Sequence, residues 1–267
     1  MTTTKIKKLN PFIINYLGTK YRESIQHFEG DDIDFNKYKS FVEPFGGTFG
    51  FSRYIYMKLN KPTDKKFIIY DNDKELITFY NNIKGMTKEE YEELHNKYNE
   101  IVNKYDEEEW HKNGFNIIRE LKGTIEDKNI NFMIVLNNKP NMISRKCNKK
   151  ANMEWFDMFK YCEFKYMNVV NEYEYITTTH NTKDTIIYLD PPYINNCNEQ
   201  YADVNIDYSE FIINCFINKK KSNVIFVHER NFLLLHILNK YLYKSYDKLY
   251  PLRQRKKIHN VFMKYKV

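Results

Sequence analysis

The sequence predicts an open, mainly parallel α/β sheet carrying a helical insertion, and three observations predict it. Short apolar runs in "KSFVEPFGG", "KKFIIYDND" and "DTIIYLDPPY" each stop at a polar or glycine-rich turn and lead into a helical pattern. That strand, turn, helix rhythm builds parallel sheets whose ligands bind outside the carboxyl ends of the strands, so the three turns are expected on one edge. Between the second and third runs, residues 85–165 change character and become helical and polar. The expected organisation is a discontinuous sheet domain, 1–84 and 166–267, interrupted by a helical insertion, 85–165.

Each element has its own reason. "KSFVEPFGG" and "KKFIIYDND" are β-branched and aromatic runs ending in acids, Glu43 and Asp71. "MTKEEYEELHNKYNEIVNKYDEEEW" and "GFNIIRELKGTIEDKNINFMIVLNN" read as helices, with Tyr91, Leu94, Tyr98, Ile101 and Val102 at helical spacing. "NNKPNMISRKCNKKANMEW" is polar and basic and reads as an exposed loop or hairpin. After the third run, "YSEFIINCFINKK" predicts a helix, "SNVIFVHE" a strand and "FLLLHILNKYLYKSY" a further helix. "YPLRQRKKIHNVFMKYKV" predicts a basic loop followed by a strand.

Composition bounds the function classes. At 267 residues, 42% hydrophobic and 29% charged, the chain is too rich in Ile, Phe and Tyr to be disordered. A formal net charge of +7 favours a polyanionic partner. Cys147, Cys162, Cys197 and Cys215 are widely spaced, without a C-x-x-C pair or neighbouring paired histidines, so the expectation is free thiols in a reducing compartment and no metal site. No apolar run approaches the roughly 20 residues of a membrane span, and "MTTTKIKKLNPF" lacks the apolar stretch of a signal peptide. The expectation is a soluble intracellular protein, without membrane contact. Heavy use of Asn, Lys, Ile and Tyr suggests AT-rich coding and hints at a viral or similarly biased genome.

The three strand ends carry the chemistry. In "FVEPFGGTFGF", Gly46 and Gly47 let backbone approach a ligand closely and take positive φ. The spacing is neither G-x-G-x-x-G nor a phosphate-binding P-loop, which disfavours phosphate cradling. Asp71 is placed to accept both hydroxyls of a ribose, or else Asp71 or Asp73 caps the following helix. In "LDPPY" the prolines fix an extended strand end and remove competing N–H groups. Asp190 and the carbonyl after it can then hold one exocyclic amine, with Tyr193 offering a flat face to a base. Two acceptors on such an amine turn its lone pair outward, towards an electrophile.

Asp190-Pro191-Pro192-Tyr193 matches the catalytic motif of amino-group DNA methyltransferases. "NYLGTK", "FVEPFGGTF", "YDND" and "DPPY" occur in the order seen in adenine-N6 methyltransferases of the Dam type, across nearly the whole chain. The resemblance implies a Rossmann-like methyltransferase fold that uses S-adenosylmethionine and yields S-adenosylhomocysteine, with 85–165 as a target-recognition insertion. It implies that Tyr16, Gly18 and Lys20 form an N-terminal cofactor segment and that Glu43, Pro44, Phe45, Gly46 and Gly47 form the turn under the methionine moiety. Asp71 resembles the ribose-binding acid. Asp190, Pro191, Pro192 and Tyr193 resemble the residues that receive a flipped adenine, Asp190 also bordering the cofactor. The implied partner is double-stranded DNA, with the base flipped out of the stack. The resemblance leaves a cognate restriction endonuclease open as a second partner.

The implied nucleic-acid contacts are Asn141, Arg145, Lys146, Lys149 and Lys150 in one basic segment and Arg253, Arg255, Lys256 and Lys257 in another. Arg145 has two roles open to it, reading a guanine edge or holding a phosphate. "LNNKPNMISR" departs from the family's recognition segment: Pro140 stands where an aromatic is usual and Met142 where a glycine is usual. That departure keeps methylation of RNA or single-stranded nucleic acid as an alternative. A non-catalytic nucleic-acid-binding relative is the reading from outside enzymology, and Lys20, Asp71 and Asp190 argue against it.

Overall fold

The computed structural model describes residues 14, 21–28, 33–137, 153–168, 175–176, 178–191, 211, 223–229, 244–251 and 256–264. Among these, seven strands form one sheet: β1 Ser40–Glu43, β2 Lys66–Asp71, β3 Cys162–Tyr166, β4 Thr185–Leu189, β5 Asn223–Glu229, β6 Lys244–Pro251 and β7 Lys256–Lys264. Their spatial order is β3-β2-β1-β4-β5-β7-β6. β3, β2, β1, β4 and β5 are all parallel. β7 runs antiparallel to both of its neighbours, β5 and β6. This is a mixed α/β architecture compatible with a Rossmann-like fold.

The chain divides into two compact units. In the sheet unit, β1 and β2 are joined through the helix α2, Gly50–Lys58, which follows the shorter α1, Tyr21–Phe28. All five residues of β4 are buried, as a parallel strand covered on both faces requires. On one face Phe41, Phe67 and Tyr188 meet Phe28 of α1 and Phe51 and Tyr56 of α2, and Tyr54 of α2 stacks on Phe28. The Phe51 and Tyr188 rings stack with centroids 4.3 Å apart and planes within 6°. The opposite face buries Val42, Ile68, Tyr70, Ile187, Leu189, Val224 and Phe226 beneath Ile176 and Phe211. This period-two alternation of faces holds each strand in register, because a slip of one residue would exchange the two cores.

The helical unit contains α4 Lys88–Val102, α5 Glu107–Thr124, α6 Lys128–Asn137, α7 Met153–Phe159 and the greater part of α3, Lys74–Gly85. Two capping boxes punctuate it, Thr87 with Glu90 and Asp106 with Glu109. The stretch from 86 to 110 is therefore two helices with a break at 103–106: Asp106 accepts from the Glu109 N–H at 2.8 Å and restarts the helix. Trp110 is fully buried and donates its indole N–H to the Val102 carbonyl at 3.2 Å, which seals the junction.

Three expectations change at the edges of the sheet. β3 pairs with β2 from Cys162 onwards, so the sheet resumes a few residues ahead of position 166. Lys244, Ser245 and Tyr246, expected at the end of a helix, belong to β6, where each pairs with a residue of β7. The rest of that expected helix lies outside the described residues. Met153–Trp155, expected in the polar loop, opens α7 and buries Trp155, and the preceding 138–152 lie outside the described residues.

Candidate functional site

β1, β2 and β4 run side by side, and their carboxyl ends share one edge. Past β1 the chain turns through Pro44, Phe45, Gly46 and Gly47. The Gly46 N–H donates to the Tyr70 carbonyl at 2.9 Å. A Cβ on Gly46 would lie 2.2 Å from Ile69 Cγ2, so only glycine lets the turn press against β2. Gly47 has φ 48°, and its N–H donates to Asp71 Oδ2 at 2.8 Å. Both glycines of the predicted turn thus attach it to the end of β2.

Phe49 then enters the left-handed region at φ 40°, a conformation costing an ordinary residue about 1–2 kcal/mol. Its ring is fully buried beside Phe164, with centroids 5.4 Å apart, and the burial holds the backbone there. Phe49 is the N-cap of α2 and supplies no capping side chain. Glu43 supplies the cap from the end of β1. Its Oε1 accepts from the Phe51 N–H at 3.3 Å, and its Oε2 accepts from the Ser52 N–H at 3.0 Å and the Ser52 hydroxyl at 2.8 Å. Burial pushes the Glu43 carboxyl up to about 7, against the opposing pull of the Ser52 and Phe51 donors and the Arg53 charge.

Asp71 ends β2. Oδ2 holds the Gly47 N–H and Oδ1 accepts from the Asp73 N–H at 2.9 Å. Burial raises its carboxyl to about 6, and the Asp73 and Gly47 N–H groups moderate that rise. The capping of α3 falls to Asp73, whose Oδ1 accepts from the Leu76 N–H at 3.0 Å. The Met167 N–H donates to the Asp71 carbonyl at 3.0 Å, so the exit of β3 also fixes this position.

Asp190 follows β4 directly and is partly exposed, while Pro191 is buried. β1 pairs Glu43 with Ile69 and Val42 with Ile187. Continued along the strands, that register sets Asp71 and Asp190 level with Phe45, one on each side of the β1 exit. At the usual strand spacing their Cα atoms are about 10 Å apart. The crevice between β1 and β4 is where the strand order reverses direction, the point at which open α/β sheets take their ligands.

Of the other expected site residues, Tyr16, Gly18, Lys20, Asn141, Arg145, Lys146, Lys149, Lys150, Pro192, Tyr193, Arg253 and Arg255 lie outside the described residues. Lys256 and Lys257 open β7. Sequence reasoning missed Ser52 and Ile69. The signal for Ser52 was a helix start with no capping side chain at Phe49, which leaves N–H groups to be met from elsewhere. Among the described residues, no three His, Cys, Asp or Glu residues gather as metal ligands, and no helix is long and apolar enough to cross a membrane. No family model matches this chain, and a search of curated proteins finds no match.

Proposed function

We propose that the chain is an S-adenosylmethionine-dependent methyltransferase of the Dam type, acting on the exocyclic N6 amine of adenine in DNA. The observation that carries this reading is the common level of the glycine turn, Asp71 and Asp190 across the switch point of a parallel sheet. It agrees with the sequence motifs, which assign a cofactor turn, a ribose acid and an amine acceptor to these positions.

The residues present fit the cofactor. The Asp71 carboxylate offers about four acceptor positions, so it keeps capacity for ribose hydroxyls beyond its backbone donors. Gly46 and Gly47 draw the turn close against the end of β2, beside the Asp71 carboxylate. When bound, the cofactor supplies an electrophilic methyl group on a sulfonium. The chain's own part is positioning: Asp190 accepts an N–H of the adenine amine and turns the nitrogen lone pair away from itself, and Tyr193 stacks on the base. Orienting the two reactants in this way accounts for a large share of such a rate enhancement.

Asp190→Ala is expected to lower methyl transfer by about 10²–10³-fold, read by tritiated-methyl incorporation, with the circular dichroism of the wild type. Loss of a single preorganised hydrogen-bonding group at a reacting centre is worth about 10²–10³ in rate. Near-normal turnover would sink the mechanism. Failure of the wild type to bind S-adenosylmethionine in a calorimeter would sink the enzyme reading altogether. A second reading, methylation of unpaired nucleic acid, is favoured by Pro140 and Met142 in "LNNKPNMISR". It requires transfer to single strands at least as fast as to duplex.

A further inference from the structure

The register of the last two strands carries one more inference, which rests on the proposed function. β5 ends at Glu229, paired with His259 of β7, which in turn pairs with Lys248 of β6. Beyond that level β6 and β7 pair only with each other, through Leu249 with Ile258, Tyr250 with Lys257 and Pro251 with Lys256. The two-stranded ribbon therefore overhangs the end of β5 by three residues on each strand, roughly 10 Å at the usual rise. β7 is antiparallel to β5, so the overhang lies at the carboxyl edge of the sheet, the edge that holds Asp71 and Asp190.

The ribbon's content suits a polyanion. Its overhanging residues include Lys256, Lys257 and Tyr250 and no acid. The nearest acid on either strand, Asp247, pairs with Asn260, within the span where β7 is still paired with β5. Tyr250 and Lys257 are direct partners in the β6–β7 ladder.

Position then selects the contact. Leu189 pairs with Phe226, so Asp190 is level with Val227, and Lys257 stands four residues further out and two strands across. These offsets are about 13 Å and 10 Å, which combine to roughly 16 Å. Along one DNA strand, at about 3.4 Å per nucleotide, that distance spans about five nucleotides. We infer that the β6–β7 ribbon is a backbone clamp for duplex DNA, in which Lys256 and Lys257 hold phosphates about five nucleotides from the target adenine.

The test compares wild type with the Lys256→Ala/Lys257→Ala variant by fluorescence anisotropy, on duplexes whose flanks on either side of an adenine extend about ten or about three base pairs. On the long duplex the variant should bind about tenfold more weakly and show a log–log salt slope smaller by about 2. On the short duplex the two proteins should bind alike. S-adenosylmethionine affinity by calorimetry should be unchanged, which establishes that the variant is folded. An unchanged salt slope, or equal losses on both duplexes, overturns the clamp. A wild type that binds S-adenosylmethionine and no nucleic acid overturns the proposed substrate as well, which distinguishes the two failures.

Discussion

At the end of β1, Glu43 turns under α2 and accepts three hydrogen bonds from Phe51 and Ser52. One strand away, Asp71 accepts from Gly47 and Asp73 and stays at the rim of the sheet. Both carboxyls are buried and both are pushed upward by that burial. The difference lies in the owners of the donors. Those of Glu43 all belong to the first turn of one helix, so its carboxyl serves as that helix's missing cap. Those of Asp71 come from two separate turns, one after β1 and one after β2, so its carboxyl joins the turn beside the crevice to the turn of the neighbouring strand. An acid at a strand end can thus serve the scaffold or the site, and the origin of its donors separates the two roles.

The comparison breaks most readily by deletion. Glu43→Ala leaves two buried N–H groups and a hydroxyl without their acceptor and is expected to lower stability by roughly 3–5 kcal/mol. Asp71→Ala should cost about 1–2 kcal/mol and act mainly on cofactor affinity. Urea unfolding beside calorimetry with S-adenosylmethionine measures both, and equal stability losses would erase the distinction.

Gly46→Ala probes the contact between the turn and β2. Its Cβ would collide with Ile69 Cγ2, so a loss of about 2–3 kcal/mol is expected in the same unfolding assay. Restoration by Gly46→Ala combined with Ile69→Ala would show that the side chain, and not the backbone bend, sets the requirement.

The smallest effect is the most discriminating. Burial raises Glu43 from 4.5 to about 7 and Asp71 from 3.8 to about 6, so across these windows the folded chain keeps protons that the unfolded chain has released. Stability from these two groups is complete below their ordinary values and falls as pH rises through the folded ones. In Glu43→Gln the decline between pH 6 and 7, about 1 kcal/mol or less, should shrink to the small tail left by Asp71, while part of the decline below pH 6 persists. A slope above pH 6 as steep as that of the wild type would assign the proton to another group.

Much of this arrangement was legible in the residues. β1, β2, β4 and β5 declare themselves as apolar runs with terminal acids or turns, and burial on both faces is the reason such runs exist. β3 and β6 do not. "CEFKY" and "KSYDKLYP" carry charges at alternate or adjacent positions, as suits strands at the two edges of a sheet, and nothing local marks them as strands. Their conformation comes from pairing with β2 and with β7, a long-range cause that a short window of sequence does not contain. In the site, the strand-end acids and the Gly-Gly turn stood out by residue type, while Ser52 and Ile69 stayed hidden because their roles depend on which segment the turn presses against.

The insertion of β7 between β5 and β6 has a consequence for synthesis. β6 precedes in the chain the strand that attaches it to the sheet, so it stays unattached until β7 has paired with β5. During that interval the nascent sheet has an open edge at β5, where Val224, Ile225, Phe226 and Val227 await cover. A stop codon anywhere ahead of Lys256 therefore removes two strands from the sheet and leaves that apolar edge as its border.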